Sequence, residues 1–318
     1  MDKIAATETR RGLTRRQAVS LLGMGAAGLV FGGAAPRAFA HGGTTVSHNE
    51  IWGQPTYLPD TGAPWSTRWD EAFYLRYENW LGYHYANTPV NWLTPMRVWH
   101  GRVHDDGAGT SSYHYYGRAC DQFNLDMTVS GTLTKVFDTK YKSGSSGWKY
   151  LTGSALTTAR NRYWGTVAGL NYHFAHVLHY WYTPVYFPNG AIDYSHEYHV
   201  HVDNSQSGNG FSVFAPSTSV RKVQVFTVQS CLNYIWGYPT SIDGYWGPQS
   251  TSHSNDVLAK LGRTGSLTSS QANWQAFLTA ALRWGTGAQT SWGGGGGGCV
   301  ITDRGKAVDK KAAAAIPC

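Results

Sequence analysis

Apolar residues recur at a spacing of three to four positions in four stretches of the chain. These stretches are residues 71–83, 155–174, 223–233 and 271–282. Such spacing places the apolar side chains on one face of a helix, so each stretch predicts an amphipathic α-helix. Between them, Pro-, Gly- and Ser-rich segments predict loops and turns.

Strands are predicted where apolar and polar residues alternate, because successive side chains of a strand point to opposite faces. Residues 123–137 have this pattern and predict a strand or a hairpin, and shorter strands are predicted at 96–103, 177–182 and 196–203. Helices flanking a small antiparallel sheet constitute an α+β architecture. We therefore predict an α+β fold, followed by a small all-α unit.

Composition divides the chain into four segments. Polar, Gly/Ser-rich residues close the first predicted domain near residue 216, and six consecutive glycines follow the last predicted helix. Such a glycine run is typical of a flexible linker. The predicted segments are a targeting segment at 1–40, a first domain at 41–216, a helical domain at 217–290 and a linker with a disordered tail at 291–318.

The first forty residues have the features of an export signal. Arginine pairs at 10–11 and 15–16 precede an apolar, Gly/Ala-rich run at 18–35 and an Ala-Phe-Ala sequence that ends at residue 40. The run is short and glycine-rich for a membrane anchor, and paired arginines are typical of the twin-arginine export route. We expect a cleaved signal and a secreted protein without a membrane span.

Removing this segment changes the charge of the chain. The whole chain carries a net charge of +7, whereas residues 41–318 hold 20 Lys/Arg and 17 Asp/Glu, a net charge of +3. No dense basic stripe of the kind that follows a phosphate backbone is present, so we expect no nucleic-acid partner. The weak positive charge is compatible with an anionic cell wall. We expect the protein to act there as a monomer.

Metal-ligand side chains occur in two places. His114 and Asp121 flank a glycine-containing corner, and the sequence His-Glu-Tyr-His-Val-His begins at His196. In a regular strand Glu197, His199 and His201 would share one face. One imidazole from this segment would complete three protein ligands, the number typical of catalytic zinc, whereas structural zinc sites have four ligands and are often rich in Cys. The sequence therefore predicts a catalytic Zn²⁺ site.

These residues carry a family resemblance. The pattern Ser-x-His-x-x-Gly-x-Ala-x-Asp beginning at Ser112, followed by His-x-His, resembles the zinc peptidase group that includes D-alanyl-D-alanine carboxypeptidases, lysostaphin-type endopeptidases and the hedgehog signalling domain. The resemblance implies that residues 41–216 are a zinc peptidase-like domain, with His114, Asp121 and His201 as zinc ligands. It also implies that His199 is catalytic or stabilises an oxyanion.

The catalytic base is less clearly indicated. The carboxypeptidase branch has an acidic base three residues before its last His ligand, and Tyr198 occupies that position here. The base would then be Glu197, His196 or His199. His196 is similar to a histidine that the murein endopeptidase branch uses beside the metal.

Guanidinium groups can bind a substrate carboxylate through two parallel hydrogen bonds. Arg97, Arg102 and Arg118 are candidates, and we also place Ser112 among the substrate-binding residues. The resemblance implies a zinc metallopeptidase that hydrolyses peptide bonds of peptidoglycan, either terminal D-alanine or cross-links. The alternative is a non-catalytic, zinc-containing cell-wall-binding protein, which the tyrosine in place of the acid favours. A secreted peptidase for other peptides is a further alternative.

The C-terminal helical segment has a resemblance of its own. Residues Gln229, Leu232 and Asn233, with the later Ile-Asp-Gly-x-x-Gly-Pro sequence at 242–248, resemble the three-helix peptidoglycan-binding domain. Its second half matches less well, because the usual Ala-Val-x-x-Phe-Gln helix is replaced by residues 253–261. The resemblance implies attachment to the cell wall.

Several further features leave alternatives open. His173, His176 and His179 follow at three-residue intervals and are either second-layer groups around the metal or buried, hydrogen-bonded histidines.

Signal cleavage would expose His41 as an N-terminal residue able to chelate copper. Four cysteines allow three disulfide connectivities; we expect Cys299 with Cys318, which leaves Cys120 and Cys231 as a second pair.

Overall fold

The structure is a computed structural model and describes residues 45–108, 111–142, 146–181, 185–186, 192–193, 195–206, 208, 210–217 and 222–292. All of these residues fall within one compact unit, Gly43–Cys318. The predicted export signal, His41 and the Cys299–Cys318 pair lie outside the described residues, as does the glycine run. Within the described part of the chain, no helix is long and apolar enough to cross a membrane.

The described residues form a mixed α and β fold, in which the last three helices follow the final strand. The strands are β1 (Thr45–His48), β2 (Glu50–Ile51), β3 (Gln54–Tyr57), β4 (Thr67–Asp70), β5 (Trp92–His100), β6 (Ala119–Val129), β7 (Thr132–Asp138), β8 (His176–Leu178), β9 (Val185–Tyr186), β10 (Ile192–Asp193) and β11 (Val200–Asp203). The helices are α1 (Glu71–Ala86), α2 (Gly153–His173), α3 (Lys222–Ser230), α4 (Pro248–Lys260) and α5 (Gln271–Thr286). The predicted combination of helices with antiparallel strands is confirmed.

The central sheet has seven strands in the order β2-β3-β5-β6-β11-β8, with β7 also paired to β6. All pairs are antiparallel except β3 with β5, a parallel pair that the sequence did not predict. The predicted hairpin is formed by β6 and β7, which are joined at Ser130 and Gly131. Both joining residues have positive φ angles, 50° and 83°, as tight hairpin turns require.

One face of this sheet is covered by helices. Cys120 and Gln122 on β6 and Val200 and Val202 on β11 are fully buried, and the Tyr77 hydroxyl of α1 hydrogen-bonds the Gln122 side chain. Because side chains alternate along a strand, the residues between them point to the other face. That other face carries the candidate site.

The helical predictions are confirmed with small changes at the ends. The apolar side chains that predicted α1 are all fully buried, as are those that predicted α2: Phe73, Tyr77, Trp80, Leu81, Tyr163, Val167 and Leu170. The Asp70 carboxylate caps α1 by accepting a hydrogen bond from the Phe73 amide at 3.0 Å. Such a cap satisfies an amide that has no partner within the helix.

Helix α5 crosses α2 at two glycines. A β-carbon on Gly285 would lie 2.5 Å from the Asn161 carbonyl oxygen and 2.8 Å from the Gly165 α-carbon. The two backbones approach this closely because neither residue has a side chain. The helical residues after 222 therefore pack directly onto the preceding part of the chain, while the boundary placed at residue 216 stays a prediction.

The residues that resemble a peptidoglycan-binding domain brace a turn before α4. The Gln229 side-chain oxygen accepts hydrogen bonds from the amides of Asp243 and Gly244 at 3.1 and 2.9 Å, and its nitrogen donates to the Asp243 carboxylate at 2.8 Å. The Asn233 side chain donates to the Thr240 carbonyl oxygen at 3.0 Å. These motif residues therefore have a structural role in this fold.

The disulfide between Cys120 and Cys231 that the sequence left open is not formed. Both thiols are free and fully buried. Cys120 lies on the helix-facing side of β6, where burial raises the pKa of its thiol. The Cys231 thiol instead contacts the Trp164 carbonyl oxygen at 3.8 Å, and burial raises its pKa as well.

Candidate functional site

His114 lies in a short 3-10 turn, Tyr113–Tyr116, which Ser112 and Gly117 hold at its two ends. The Ser112 hydroxyl accepts a hydrogen bond from the His114 amide at 3.3 Å, and Gly117 ends the turn with φ 66°. A β-carbon at Gly117 would lie 2.9 Å from the Asp70 amide nitrogen, so the turn requires glycine there. Ser112 thus caps the turn that presents His114, and its contact with substrate stays a prediction.

Asp121 and His201 lie directly opposite each other on the antiparallel strands β6 and β11. Side chains of such a pair share one face and approach closely. The Asp121 Oδ1 atom is 3.0 Å from His201 Nδ1. The strand register therefore brings together two residues that are separated by eighty positions in the sequence.

The turn adds His114 to this pair. His114 Nε2 lies 3.2 Å from His201 Nδ1 and 3.3 Å from Asp121 Oδ1. One ligand atom from each of the three residues lies within 4.8 Å of the other two. The structure thus brings together the three residues that the family resemblance implies as ligands, with two nitrogens and one oxygen facing a common point.

Each imidazole of this group is oriented through its other nitrogen. His201 Nε2 lies 3.1 Å from Asp203 Oδ2, which is also 2.7 Å from His176 Nδ1. His114 Nδ1 lies 3.3 Å from the Val103 carbonyl oxygen. Carboxylate and carbonyl oxygens in these positions typically fix the tautomer and ring orientation of metal-binding histidines.

The charges of the group are strongly coupled. Burial would raise the pKa of Asp121, but hydrogen bonds with His114 and His201 outweigh it and hold the pKa well below the usual range. Burial would likewise raise the pKa of Asp203, but hydrogen bonds with His176 and His201 outweigh it and lower the pKa. Burial would lower the pKa of His201, yet Asp121 and Asp203 raise it to about 10. Without a metal, His201 holds a proton between two carboxylates, and metal binding would release it.

The other two histidines of the second segment lie beside this group. His199 Nε2 is 3.5 Å from Asp121 Oδ1. The His196 ring centroid is 5.2 Å from that of His199 and 6.2 Å from that of His201. Both side chains are buried. The structure therefore places both predicted catalytic histidines next to the candidate ligands.

The strand predicted at residues 196–203 is shorter than expected. Only Val200–Asp203 is extended, and Ser195–Glu197 forms a 3-10 turn. The strand alternation that would place Glu197 on the same face as His201 therefore does not apply. The Glu197 carboxylate lies 3.7 Å from Lys142 Nζ, and its role as a base stays a prediction.

The three candidate arginines have different surroundings. The Arg118 Nε atom donates to the Asn204 side chain at 3.0 Å, and its guanidinium lies 5.1 Å from the Tyr113 ring centroid. The exposed Arg102 forms an ion pair with Asp105 at 3.4 Å. Arg97 lies over the Tyr57 ring, away from the ligand group. Arg102 remains close to the site through its backbone, because its carbonyl oxygen accepts from the Asp121 amide at 3.0 Å.

The two alternatives for the three-residue histidine series both occur. His176 has the position expected of a second-layer group, since its Nδ1 lies 2.7 Å from the Asp203 carboxylate that also contacts His201. His179 is a buried structural histidine whose Nε2 lies 3.2 Å from the Val223 carbonyl oxygen. His173 is buried as well. Asp203 was missed from the sequence, although its position two residues after His201 on a strand is a signal that places both side chains on one face.

Comparison with protein-family models, with curated proteins and with solved structures finds no match to this chain.

Proposed function

We propose that this protein is a secreted zinc metallopeptidase that hydrolyses peptide bonds of cell-wall peptidoglycan. The observation that carries the proposal is the convergence of His114 Nε2, Asp121 Oδ1 and His201 Nδ1 within 4.8 Å. Three nitrogen and oxygen donors are the ligand set of many catalytic zinc sites. The exported setting follows from the arginine-paired leader.

The donor set fits Zn²⁺ for a second reason. The Asp203 carboxylate and the Val103 carbonyl oxygen accept from the ring nitrogens of His201 and His114 that face away from the group. Each imidazole can therefore be neutral with its lone pair directed toward the metal, as zinc binding requires. Zinc bound there would polarise a carbonyl group and lower the pKa of a bound water toward about 7.

The neighbouring side chains supply the remaining chemistry. His199 Nε2 lies 3.5 Å from Asp121 Oδ1 and would donate a hydrogen bond to the oxyanion of the reacting carbonyl. His196, packed against His199, and Glu197 are the candidates to take the proton from water and deliver it to the leaving amine. A substrate carboxylate would be bound by Arg118, three residues before Asp121, or by Arg102, whose carbonyl oxygen accepts a hydrogen bond from the Asp121 amide.

Attachment to the wall is the second part of the proposal. The residues around Gln229 that resemble a peptidoglycan-binding domain are held in a defined turn, and the exposed Tyr245 projects from it with 70% of its surface accessible. A helical unit of this kind would raise the local concentration of the site near an insoluble substrate. The three-helix assignment of residues 217–290 rests on this resemblance and on α3, α4 and α5.

The deciding experiment is mass spectrometry of fragments released from purified peptidoglycan by the zinc-loaded protein. Release of single alanines would identify a carboxypeptidase, and opening of cross-links would identify an endopeptidase. The His114→Ala variant serves as the control and should release nothing, because it lacks one of the three ligands.

A non-catalytic wall-binding protein is the alternative. It is favoured by the position of Tyr198, which replaces the expected acid, and by the ion pair that Glu197 makes with Lys142. A protein that binds zinc and sediments with peptidoglycan, yet releases no fragment, would establish this alternative and overturn the peptidase.

A further inference from the structure

Phe123 lies on the site face of the sheet without belonging to the ligand group. It follows Asp121 by two residues on β6, and its ring contacts His199, which lies beside Asp121, so its side chain is on the same side of the sheet as the ligand group. It is half-buried, in contrast to the fully buried Cys120 and Leu125 of the same strand. Filling the hydrophobic core therefore does not explain why a phenylalanine occupies position 123.

The Phe123 ring packs against the imidazole of His199. The two ring centroids are 5.6 Å apart and the planes are inclined by 36°. Tyr198 contacts both rings, with centroid distances of 6.2 Å to Phe123 and 5.1 Å to His199. With His196 at 5.2 Å, aromatic rings limit the orientations that the His199 imidazole can adopt.

The space for the Phe123 ring depends on Gly101. A β-carbon on Gly101 would lie 2.8 Å from Phe123 Cε2, closer than two carbon atoms can approach without displacement. Gly101 is itself tied to the site, because its amide donates to the Asp121 carbonyl oxygen at 2.8 Å. The missing side chain at 101 thus lets the ring lie over the strand and reach His199.

We propose that Phe123 is a positioning residue for His199, and that Gly101 provides the space this requires. The ring holds the imidazole with Nε2 beside Asp121 Oδ1, at 3.5 Å, where a hydrogen bond to a reacting carbonyl could form. The proposal rests on the catalytic role of His199 proposed above. It does not depend on which peptide bond is cut.

The test compares Phe123→Ala, Phe123→Tyr, Gly101→Ala and the double variant Gly101→Ala/Phe123→Ala, each loaded with zinc. The first readout is the ¹⁵N NMR signals of the His199 ring, which report the hydrogen bonding of the imidazole whether or not the protein is an enzyme and which the ring current of Phe123 barely changes. The second is kcat and KM for peptidoglycan fragments, and bound zinc is measured in every sample.

We expect Phe123→Ala to shift the His199 signals and to lower kcat about ten- to a hundredfold, the effect of misplacing a catalytic group by about an ångström. KM should change by less than about twofold, since substrate binding is not altered. Phe123→Tyr should retain activity because its ring is the same. Zinc content should stay at one ion per molecule in all variants.

The double variant separates positioning from general damage. Gly101→Ala alone should shift the His199 signals by displacing the ring, but in the Phe123→Ala background it should add nothing, because the atoms it would strike are gone. Additive effects of the two substitutions would overturn the proposal. So would unchanged His199 signals in Phe123→Ala, or an equal loss of kcat in Phe123→Tyr.

If the wild-type protein cleaves no peptidoglycan, the proposed function is wrong, but this result alone does not contradict the inferred role of Phe123. The His199 signals then decide the matter alone: a shift in both single variants, without a further shift in the double variant, supports the positioning role of Phe123 in a non-catalytic metal site. Any other pattern of signals contradicts it.

Discussion

His201 is held from both of its ring nitrogens, and this arrangement explains the chemistry of the whole group. Nδ1 faces Asp121 and His114, while Nε2 faces Asp203. A carboxylate beside Nε2 favours the tautomer with the proton on Nε2, so Nδ1 would be the nitrogen that binds the proposed metal. At the scale of single residues, Asp203 is therefore as important to the site as a ligand.

Replacing Asp203 by Asn should weaken zinc binding about ten- to a hundredfold, because a neutral amide fixes the His201 tautomer less well. Competition with a chromophoric chelator at pH 7.5 measures the affinity. Asp138→Asn removes a carboxylate that pairs with Lys135 on β7 and should leave zinc affinity unchanged. Equal affinities of the Asp203→Asn variant and the wild type would show that the second layer does not govern this site.

Replacing Glu197 by Gln tests the identity of the base. If Glu197 accepts the proton from water, the variant should lose about 10²- to 10⁴-fold in kcat while retaining zinc, since an amide cannot take up a proton. Lys142→Gln, which breaks the ion pair but keeps the carboxylate, is the matched control and should remain active. Full activity of Glu197→Gln would move the role to His196 or His199.

At the scale of elements, the crossing of α2 and α5 requires glycine in both helices at the point where they touch. Gly165 and Gly285 face each other where the backbones are closest. Glycine usually destabilises a helix relative to alanine by about 1 kcal/mol. These two glycines are compatible with helices because the close packing of two backbones compensates for that loss.

Gly285→Ala should destabilise the protein by about 1–3 kcal/mol, since the added β-carbon would overlap the α2 backbone. Urea unfolding measures the free energy. Ser252→Ala on the exposed side of α4 is a control and should change stability by less than about 0.5 kcal/mol. A more stable Gly285→Ala variant, as expected for an isolated helix, would contradict the crossing.

The contact between α3 and the sheet makes stability depend on pH. Burial lowers the pKa of His179 to about 4, although its hydrogen bond with the Val223 carbonyl oxygen raises it. In the unfolded chain the pKa is about 6.5. Between these values the unfolded state binds more protons, so this contribution is complete above about pH 6.5 and is lost as the pH falls to about 4.

Acidification from pH 7 to pH 4 should therefore lower the free energy of unfolding by roughly 3 kcal/mol through His179. Urea unfolding at a series of pH values shows this loss as a slope. His179→Gln, which can still donate to the Val223 carbonyl oxygen, should have a smaller slope over the same range. Identical slopes in the two proteins would assign the acid sensitivity to other groups.

At the scale of the whole molecule, the helices after residue 222 are joined to the earlier part of the fold by polar contacts as well as by apolar packing. The Tyr83 hydroxyl lies 2.8 Å from the Thr279 hydroxyl, and the Trp274 indole donates to the Ser212 hydroxyl at 2.8 Å. Trp274 is fully buried. A site-bearing domain that ended at residue 216 would leave its side of this interface exposed.

A chain that ends at residue 216 should therefore lose cooperative thermal unfolding and bind a hydrophobic dye, because the α2 surface beneath α5 would face water. A chain that ends at residue 292 is the control and should unfold in one transition. If the shorter chain unfolds cooperatively and binds zinc as tightly as the control, the two parts are independent domains, as the sequence boundary predicts.

The sequence by itself determined α1, α2, α3 and α5, the β6–β7 hairpin and the ligand candidates. Periodic apolar side chains report which face of a segment is buried, and the apolar residues of α1 and α2 are indeed in the core. The ten-residue pattern around His114 and Asp121 predicted a shared site, and the structure brings both residues beside His201. Such local patterns can be read without knowledge of the remaining chain.

Only the tertiary structure decided the contacts between distant segments. The Asp203–His201 bond, the packing of Phe123 on His199, the two free cysteines and the crossing of α5 over α2 each depend on strand register or on the distance between backbones. The shorter strand at Val200–Asp203 has the same origin, because Glu197 and Tyr198 bond Lys142 and Thr139 through their carbonyl oxygens. Periodicity carries no information about which remote partner a residue meets, since that is determined by the packing of the whole chain.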